Sequence, residues 1–449
     1  MASVTAFFRR KIAPGPELAA PEDLAVSMDE STYAPDLSPP PEEQRAVAHR
    51  LAGATVLLIL PALSDDIANR AALNITLALL RAGARAIVAA GGGPLVSELR
   101  VLGIEWRQIH GTDTNWINLW RNARKIRDII AAERVDIVHA QNAGAAYSAW
   151  TAMAQNPLPF VTTLPDVPAS PPRFGKKYFA APTRGRRIIA HSAYAAAPMI
   201  ERYGIPKNLV TVIPYGIDTI TYHPARARPD RVAALRASWQ VTPGERVVLS
   251  PGPLTAENSH AHVIDAARLL FSNGLQNAVF AIPGDHRGAK RDFNALAKHA
   301  KAQGVDTLVC LGGGAEYDEA TVLAAADIVV LPATAPPLYG WLAAKAQAMA
   351  RPLIVPAIGV LPERLLAPPR MPDELRTGWL VKPDDPLDLA RAIGTALALD
   401  DNALRAIGGR AWQFAHSTFS PASVAAAMLA VYTSLLESGH EPERAGSSQ

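Results

Sequence analysis

Residues 331–356 read LPATAPPLYGWLAAKAQAMARPLIVP, and their order decides the kind of fold to expect. A strand end gives way to a proline-rich turn, then to an alanine-rich helix, then to a second apolar strand at 352–355. A βαβ passage of this kind places a loop and a helix N-terminus at the carboxyl edge of a parallel sheet. Open α/β folds bind their ligands at that edge.

Outward from this passage the same alternation fills the chain. A strand at 55–60 leads through 64–70 into a helix ending near Leu80. A strand at 86–90, the run Gly91-Gly92-Gly93 and a short helix at 94–102 follow. A helix at 119–133 precedes a strand at 135–140, with further strands at 160–163 and 187–190. A second series occupies 247–250, 278–283, 307–311, 328–331, 353–355 and 379–381. Apolar runs flanked by helices imply parallel sheets covered on both faces. The expected fold class is therefore α/β, with two Rossmann-like, doubly wound parallel-sheet domains joined near residues 222–230.

The two ends read differently. Residues 1–46 carry seven prolines and acidic residues from Glu17 to Glu43, without sustained periodicity. So little apolar surface cannot offset the entropy of ordering, and the segment reads as a disordered tail. Its head, Phe7-Phe8-Arg9-Arg10-Lys11, is a short solvated end with at most peripheral contact with an anionic membrane. The expected division is a tail at 1–46, a first domain at 47–225, a second at 226–410, closing helices at 411–436 and a second tail at 437–449.

Composition narrows the function classes. A chain of 449 residues, 49% hydrophobic and 19% charged, suits a soluble globular protein of more than one domain. A net charge of +3, with no basic-aromatic stripe, gives no reason to expect nucleic acid as a partner. The single Cys310 excludes an internal disulfide framework, fits a reducing compartment and reads as a buried small hydrophobe in the strand at 307–311. No apolar run is expected to span a bilayer, no secretory signal is read at the start, and a cytoplasmic location is the default.

Several quoted segments carry a resemblance to a known family. Pro332, Tyr339-Gly340, Ala346-Gln347-Ala348-Met349 and Arg351-Pro352 match the frame of the signature segment of glycosyltransferase family 4. The strand end Asp136-Ile137-Val138-His139-Ala140 resembles the family's N-domain. Val212-Ile213-Pro214-Tyr215-Gly216-Ile217-Asp218, with Tyr222 and Pro224, resembles the exit from that domain. Thr377-Gly378-Trp379-Leu380-Val381 resembles the strand after the signature helix, and residues 410–432 resemble the closing helices. The resemblance covers most of the chain, roughly 55–432. It implies the GT-B fold, with an acceptor-side and a nucleotide-sugar-side domain facing across a cleft and the final helices crossing back onto the first domain.

The resemblance also implies which positions carry retaining, metal-free transfer from a nucleotide-sugar, and these are substituted. The family places a glutamate two residues before the aromatic-Gly pair and a second one eight positions further on. Here Pro337 and Lys345 stand there. The second glutamate accepts from the ribose hydroxyls, and a lysine has only donors. Charge on the departing diphosphate is met in the family by an Arg and a Lys of the loop after the first C-domain strand. Here Pro253 and Asn258 replace them. The Gly-Gly turn that lets the N-domain backbone approach the phosphates is replaced by Asp66 and Ile67. A metal-binding reading of Asp65-Asp66 competes with the commoner helix N-cap. Pro165 stands at the family's sugar-side histidine, and Asp166 beside it reads as a turn residue.

Compensating groups are weighed beside these losses. His286 and Arg287, with Lys290, Arg291 and Lys345, would hold an anion, although a solvated loop opening a helix is the plainer reading. Tyr339 and Gly340 complete the candidate donor positions. Trp106, Trp116 and Trp120 are placed near a helix, packing or lining the acceptor side, and His110 and His139 read as satisfied structural histidines. The implied function is that of a family member of surface-polysaccharide or lipopolysaccharide assembly, catalytically impaired and acting by binding. The rival is an active retaining transferase with a divergent donor site. The implied partners are a nucleotide-sugar, held weakly or not at all, and a protein such as a related transferase. Neither cofactor nor metal is expected.

Overall fold

The computed structural model describes residues 50–111, 115–164, 178, 180–255, 258–284 and 289–438. The expected tail and its basic head, together with Pro165, Asp166, His286 and Arg287, lie outside the described residues.

Two compact units divide the chain. One takes the described residues up to Gly216 together with those from Thr418 onward, and the other is Ile217–Ser417. In the first unit, β1 (Thr55–Ile59), α1 (Ile67–Arg81), β2 (Arg85–Ala90), α2 (Val96–Val101) and β3 (Glu105–Gln108) come first. Then follow α3 (Trp116–Glu133), β4 (Ile137–Ala140), α4 (Ala143–Ala152), β5 (Phe160–Thr163), β6 (Arg187–Ala190), α5 (Ala193–Tyr203) and β7 (Val210–Val212). All seven strands pair in parallel in the order β3-β2-β1-β4-β5-β6-β7.

The second unit runs through α6 (Pro229–Ser238), β8 (Arg246–Leu249), α7 (His260–Ser272), β9 (Ala278–Ile282), α8 (Lys290–Ala302) and β10 (Val309–Leu311). It continues with α9 (Glu319–Ala324), β11 (Ile328–Val330), α10 (Trp341–Ala348), β12 (Leu353–Pro356), β13 (Gly378–Val381), α11 (Pro386–Leu397) and α12 (Asp401–Phe419). Its parallel sheet has the order β10-β9-β8-β11-β12-β13. The last helix, α13 (Pro421–Ser438), belongs to the first unit.

The strand sequences explain the layering. Successive side chains of a strand point to opposite faces, so a strand apolar at every position needs cover on both sides. In β1, Val56 and Leu58 enter one core with Ile75 and Leu79 of α1, while Leu57 and Ile59 enter another with Ala123 and Ile126 of α3. The second sheet repeats this, with Val248 on one face and Val247 and Leu249 on the other.

The closing helix α13 lays Val424, Met428, Val431, Tyr432 and Leu435 against the core of the first sheet. One expectation is corrected, because among the described residues the helical stretch Asp401–Glu437 is long and apolar enough to cross a membrane by length and composition. Its apolar positions in α13 are spent on the core instead.

Two strands escape the sequence pattern. β3 reads EWRQ and β7 reads VTV, and both are edge strands with little to bury. Trp106, expected near a helix, lies in β3, where its indole donates to the carbonyl of Ala90 at 3.3 Å. Cys310, expected to be buried, is half-buried in β10 and its thiol lies 3.1 Å from the carbonyl of Trp239.

Candidate functional site

In each sheet the strand order reverses direction once, between β1 and β4 in the first and between β8 and β11 in the second. The loops beyond the carboxyl ends of those strands are where such folds hold ligands.

In the second unit these are the loops after β8 and β11, and they touch. Ser259 Oγ lies 2.9 Å from Thr334 Oγ1. Ser259 is held in the left-handed region at φ +45°, a conformation that disfavours a side chain by roughly 1 kcal/mol or more. The loop after β8 folds onto its own backbone. The carbonyl of Pro253 accepts from Asn258 Nδ2 at 2.7 Å, from His260 Nε2 at 3.0 Å and from the Thr255 amide at 2.9 Å. Because a carbonyl only accepts, His260 carries its proton on Nε2, and its Nδ1, 2.9 Å away, accepts from Ser250 Oγ. Burial lowers the basicity of this imidazole, although the bond to Pro253 opposes the shift. Pro253 is exposed and Asn258 partly so, and the amide of Asn258 is turned inward as a loop brace.

The loop after β11 is fixed by two glycines. Gly340, at φ +63°, caps α10, and a Cβ there would lie 3.0 Å from Arg364 and 3.1 Å from Val360. Gly359, at φ +60°, brings its turn so close that a Cβ would sit 2.7 Å from the carbonyl of Pro337. That carbonyl accepts from the Val360 amide at 3.1 Å. Tyr339 stacks flat on Trp341 with ring centres 4.7 Å apart, and its carbonyl accepts from Arg364 Nε at 2.8 Å. Burial pulls the Arg364 guanidinium down to about 10.

Lys345, on the second turn of α10, is engaged within its own unit. Its ammonium donates to Glu319 Oε2 at 2.5 Å and lies 4.7 Å above the ring of Tyr222. The Tyr222 hydroxyl donates to the same carboxylate oxygen at 2.5 Å. Burial works against the charge on Lys345, but Glu319 and Tyr222 outweigh it and hold its pKa above the ordinary lysine value. Glu319 lies at the start of α9, 26 positions before Lys345. Neither it nor Tyr222 is recognisable as its partner from sequence spacing, because the fold alone brings them together. Lys290 and Arg291 are exposed in the first turn of α8.

In the first unit, Asp66 is the N-cap of α1. Its carboxylate accepts from the Asn69 amide at 2.9 Å, from Asn69 Nδ2 at 2.8 Å and from Ser64 Oγ at 2.5 Å. Ile67 is the first residue of α1. Asp65 pairs with Arg70 at 2.7 Å, which holds its carboxyl below the usual range, and Arg70 also reaches Glu98 at 2.8 Å. The adjacent carboxylates are thus a cap and an ion pair.

At the ends of β4 and β5, His139 is wholly buried between Tyr432 Oη at 2.7 Å and Thr163 Oγ1 at 2.8 Å. Burial, with a smaller repulsion from His191, brings its pKa down to about 3, so it is a neutral structural group, as the sequence suggests. His191 stacks on Tyr215 at 3.5 Å and donates from Nδ1 to the carbonyl of Ile213 at 3.2 Å. His110 is tied through its backbone to the Asn122 side chain at 2.8 and 3.0 Å. Trp116 and Trp120 lie on the first turns of α3 and are mostly exposed.

Two doubly wound sheets in one chain, each with ligand-edge loops at its reversal, define a GT-B protein. The first half matches the family described as Glycosyltransferase Family 4 over residues 68–220, and the second matches Glycosyl transferases group 1 over residues 245–398. The chain belongs to glycosyltransferase family 4. It is 29% identical over 258 residues to a D-inositol 3-phosphate glycosyltransferase of Nocardia farcinica, across 57% of this chain and 54% of that one. A protein of the same name from Xylanimonas cellulosilytica is 28% identical over 321 residues, across 66% of this chain and 71% of that one. The matched part thus spans about half the length of the Nocardia relative. Among solved structures, a glycosyltransferase from Rickettsia africae superposes with a TM-score of 0.68 at 22% identity, covering 86% of this chain and 99% of that one. The Anabaena protein HepE in complex with UDP does so with a TM-score of 0.62 at 20% identity, covering 85% and 100%.

Proposed function

We propose that this chain is a family 4 protein whose donor site no longer supports sugar transfer, and that it acts by binding. The observation that carries this reading is Lys345. It stands where the family resemblance calls for a ribose acceptor, and its ammonium is already committed to Glu319 and Tyr222. The inward-turned Asn258 amide and the self-satisfied Pro253 carbonyl support the same reading, since neither offers a diphosphate the cation it needs. Each missing charge-assisted bond weakens binding by on the order of 1.5–3 kcal/mol, so several together remove affinity by orders of magnitude.

The binding role falls in the cytoplasm, in assembly of surface polysaccharide or lipopolysaccharide, with a related transferase as protein partner. Family descent supports this assignment. Relatives named for D-inositol 3-phosphate and a fold neighbour solved with UDP-glucose make that acceptor and that donor the first pair to try. The expected outcome is no turnover of UDP-, GDP- or ADP-sugars with or without the inositol phosphate, and no thermal shift with any of them at millimolar concentration. Turnover that is lost in Lys345→Ala would overturn the reading in favour of a rebuilt active site. Cross-linking in the native cell tests the partner, and recovery of the chain only as a monomer would count against it.

A further inference from the structure

At the amino edge of β4 and β5, opposite the ligand edge of the first sheet, the ends of α3 and α4 leave a cavity of about 310 Å³ between them. Its floor is apolar. Val135 and Met153 are buried there in the core, and Ile130 and Leu158 are half-buried against it. Two arginines stand over this floor. Arg127 donates from Nε to the carbonyl of Ala152 at 3.3 Å, which ties the two helices and leaves its terminal nitrogens without a bond among the described residues. Arg134 is exposed and makes no ion pair among the described residues, although Glu133 and Asp136 flank it in sequence. Both carboxylates are committed elsewhere, Glu133 to Arg85 and Arg107 at 2.7 Å and Asp136 to the Thr55 amide at 2.8 Å. Arg134 also caps α3 in the left-handed region at φ +50°, where glycine is the unstrained choice.

We propose that this cavity binds a small amphipathic carboxylate, an apolar chain or ring ending in one carboxylate group. Ligand sites typically occupy about 300–1,000 Å³ and combine apolar walls with a few placed polar groups, and this cavity fits the small end of that range. A planar guanidinium meets a carboxylate through two parallel bonds. A bare inorganic anion is disfavoured, because both helices turn their C-termini, and so their negative dipole ends, toward the cavity. A wholly apolar ligand is disfavoured because it would strip water from two cations and give nothing back. The apolar groups are recessed, so none projects to enter a bilayer. Every lining group lies in the first unit, and the proposal is independent of the reading given for the donor site.

The test is calorimetric titration of the full chain with phenylpropionate, set against phenylpropanol, which keeps the apolar body without the charge, and against inorganic phosphate. The expected result is saturable binding of the carboxylate at about millimolar concentration or below, at least about tenfold tighter than the alcohol, and no binding of phosphate. Arg134→Gly should weaken the carboxylate about fivefold while melting no lower than the wild type, since glycine relieves the left-handed turn. Ala131→Trp changes an exposed position on the rim and should abolish binding by filling the mouth, with an unchanged melting curve. No binding of the carboxylate, equal binding of the alcohol, or equal binding of phosphate overturns the proposal. So does wild-type affinity in Ala131→Trp, which would put the ligand elsewhere. A lower melting temperature with unchanged affinity in Arg134→Gly would make that arginine a structural cap and also overturn it. A partner protein cross-linked through this face, and lost in Ala131→Trp while the carboxylate does not bind, assigns the cavity to a peptide and overturns it as well.

Discussion

The two sheets finish their ligand edges with different materials. At the ends of β4 and β5 a neutral imidazole sits fully buried, bonded on both nitrogens to hydroxyls of Tyr432 and Thr163. Beyond β11 the corresponding polar groups are a partly buried lysine and a more exposed glutamate that neutralise each other. The first arrangement is part of the fold, since removing one member strands buried partners. The second contributes little to stability, as partly solvated ion pairs do. This asymmetry is what the proposed reading requires, since a polar group outside the buried ties of the fold can change without removing the family frame.

The comparison breaks most easily at His139. His139→Phe should destabilise the first unit by about 2–5 kcal/mol in urea unfolding, because two buried hydroxyls lose their partner. A change under about 1 kcal/mol would mean that the imidazole is not a structural tie. Its titration gives a second reading. The folded pKa, about 3, lies below the ordinary 6.5, so the unfolded chain takes up the proton first. The stabilisation is therefore complete above pH 6.5 and is lost as pH falls toward 3, by up to about 1.4 kcal/mol per pH unit. Chemical denaturation across that range should show this slope in the wild type and a shallower one in His139→Gln.

A smaller effect is expected at the loop after β8. His260→Ala leaves Ser250 Oγ without its acceptor and removes one of three donors to the Pro253 carbonyl. The expected loss is about 1–3 kcal/mol. Smallest is Lys345→Ala, which should change stability by less than about 1 kcal/mol, since the Lys345 and Glu319 side chains are 24% and 42% exposed. A loss as large as that for His139 would remove the contrast between the two edges.

Much of the fold was legible in residues such as the continuous apolar run of β1 and the βαβ passage at 331–356, because burial on both faces leaves an uninterrupted pattern. The edge strands β3 and β7 were not, because strands covered on one side, or scarcely at all, need no such run. The N-cap role of Asp66 could be read locally, as capping depends on the next three residues. The partners of Lys345 could not. Tyr222 and Glu319 reach it from a loop and from the start of α9, and the sequence alone gives no distance between them. The same holds for His260 and the Pro253 carbonyl, whose bond depends on a left-handed turn at Ser259. The exposure of Trp116 and Trp120 was also hidden, because an aromatic at helical spacing reads equally well as core.

The most direct measurement of the central claim is calorimetric titration of the full chain with UDP-glucose. The account predicts no saturable heat at millimolar concentration, in the wild type and in Lys345→Ala alike. Saturable binding at micromolar concentration that weakens in Lys345→Ala would contradict it, because the lysine would then be holding a nucleotide-sugar rather than Glu319.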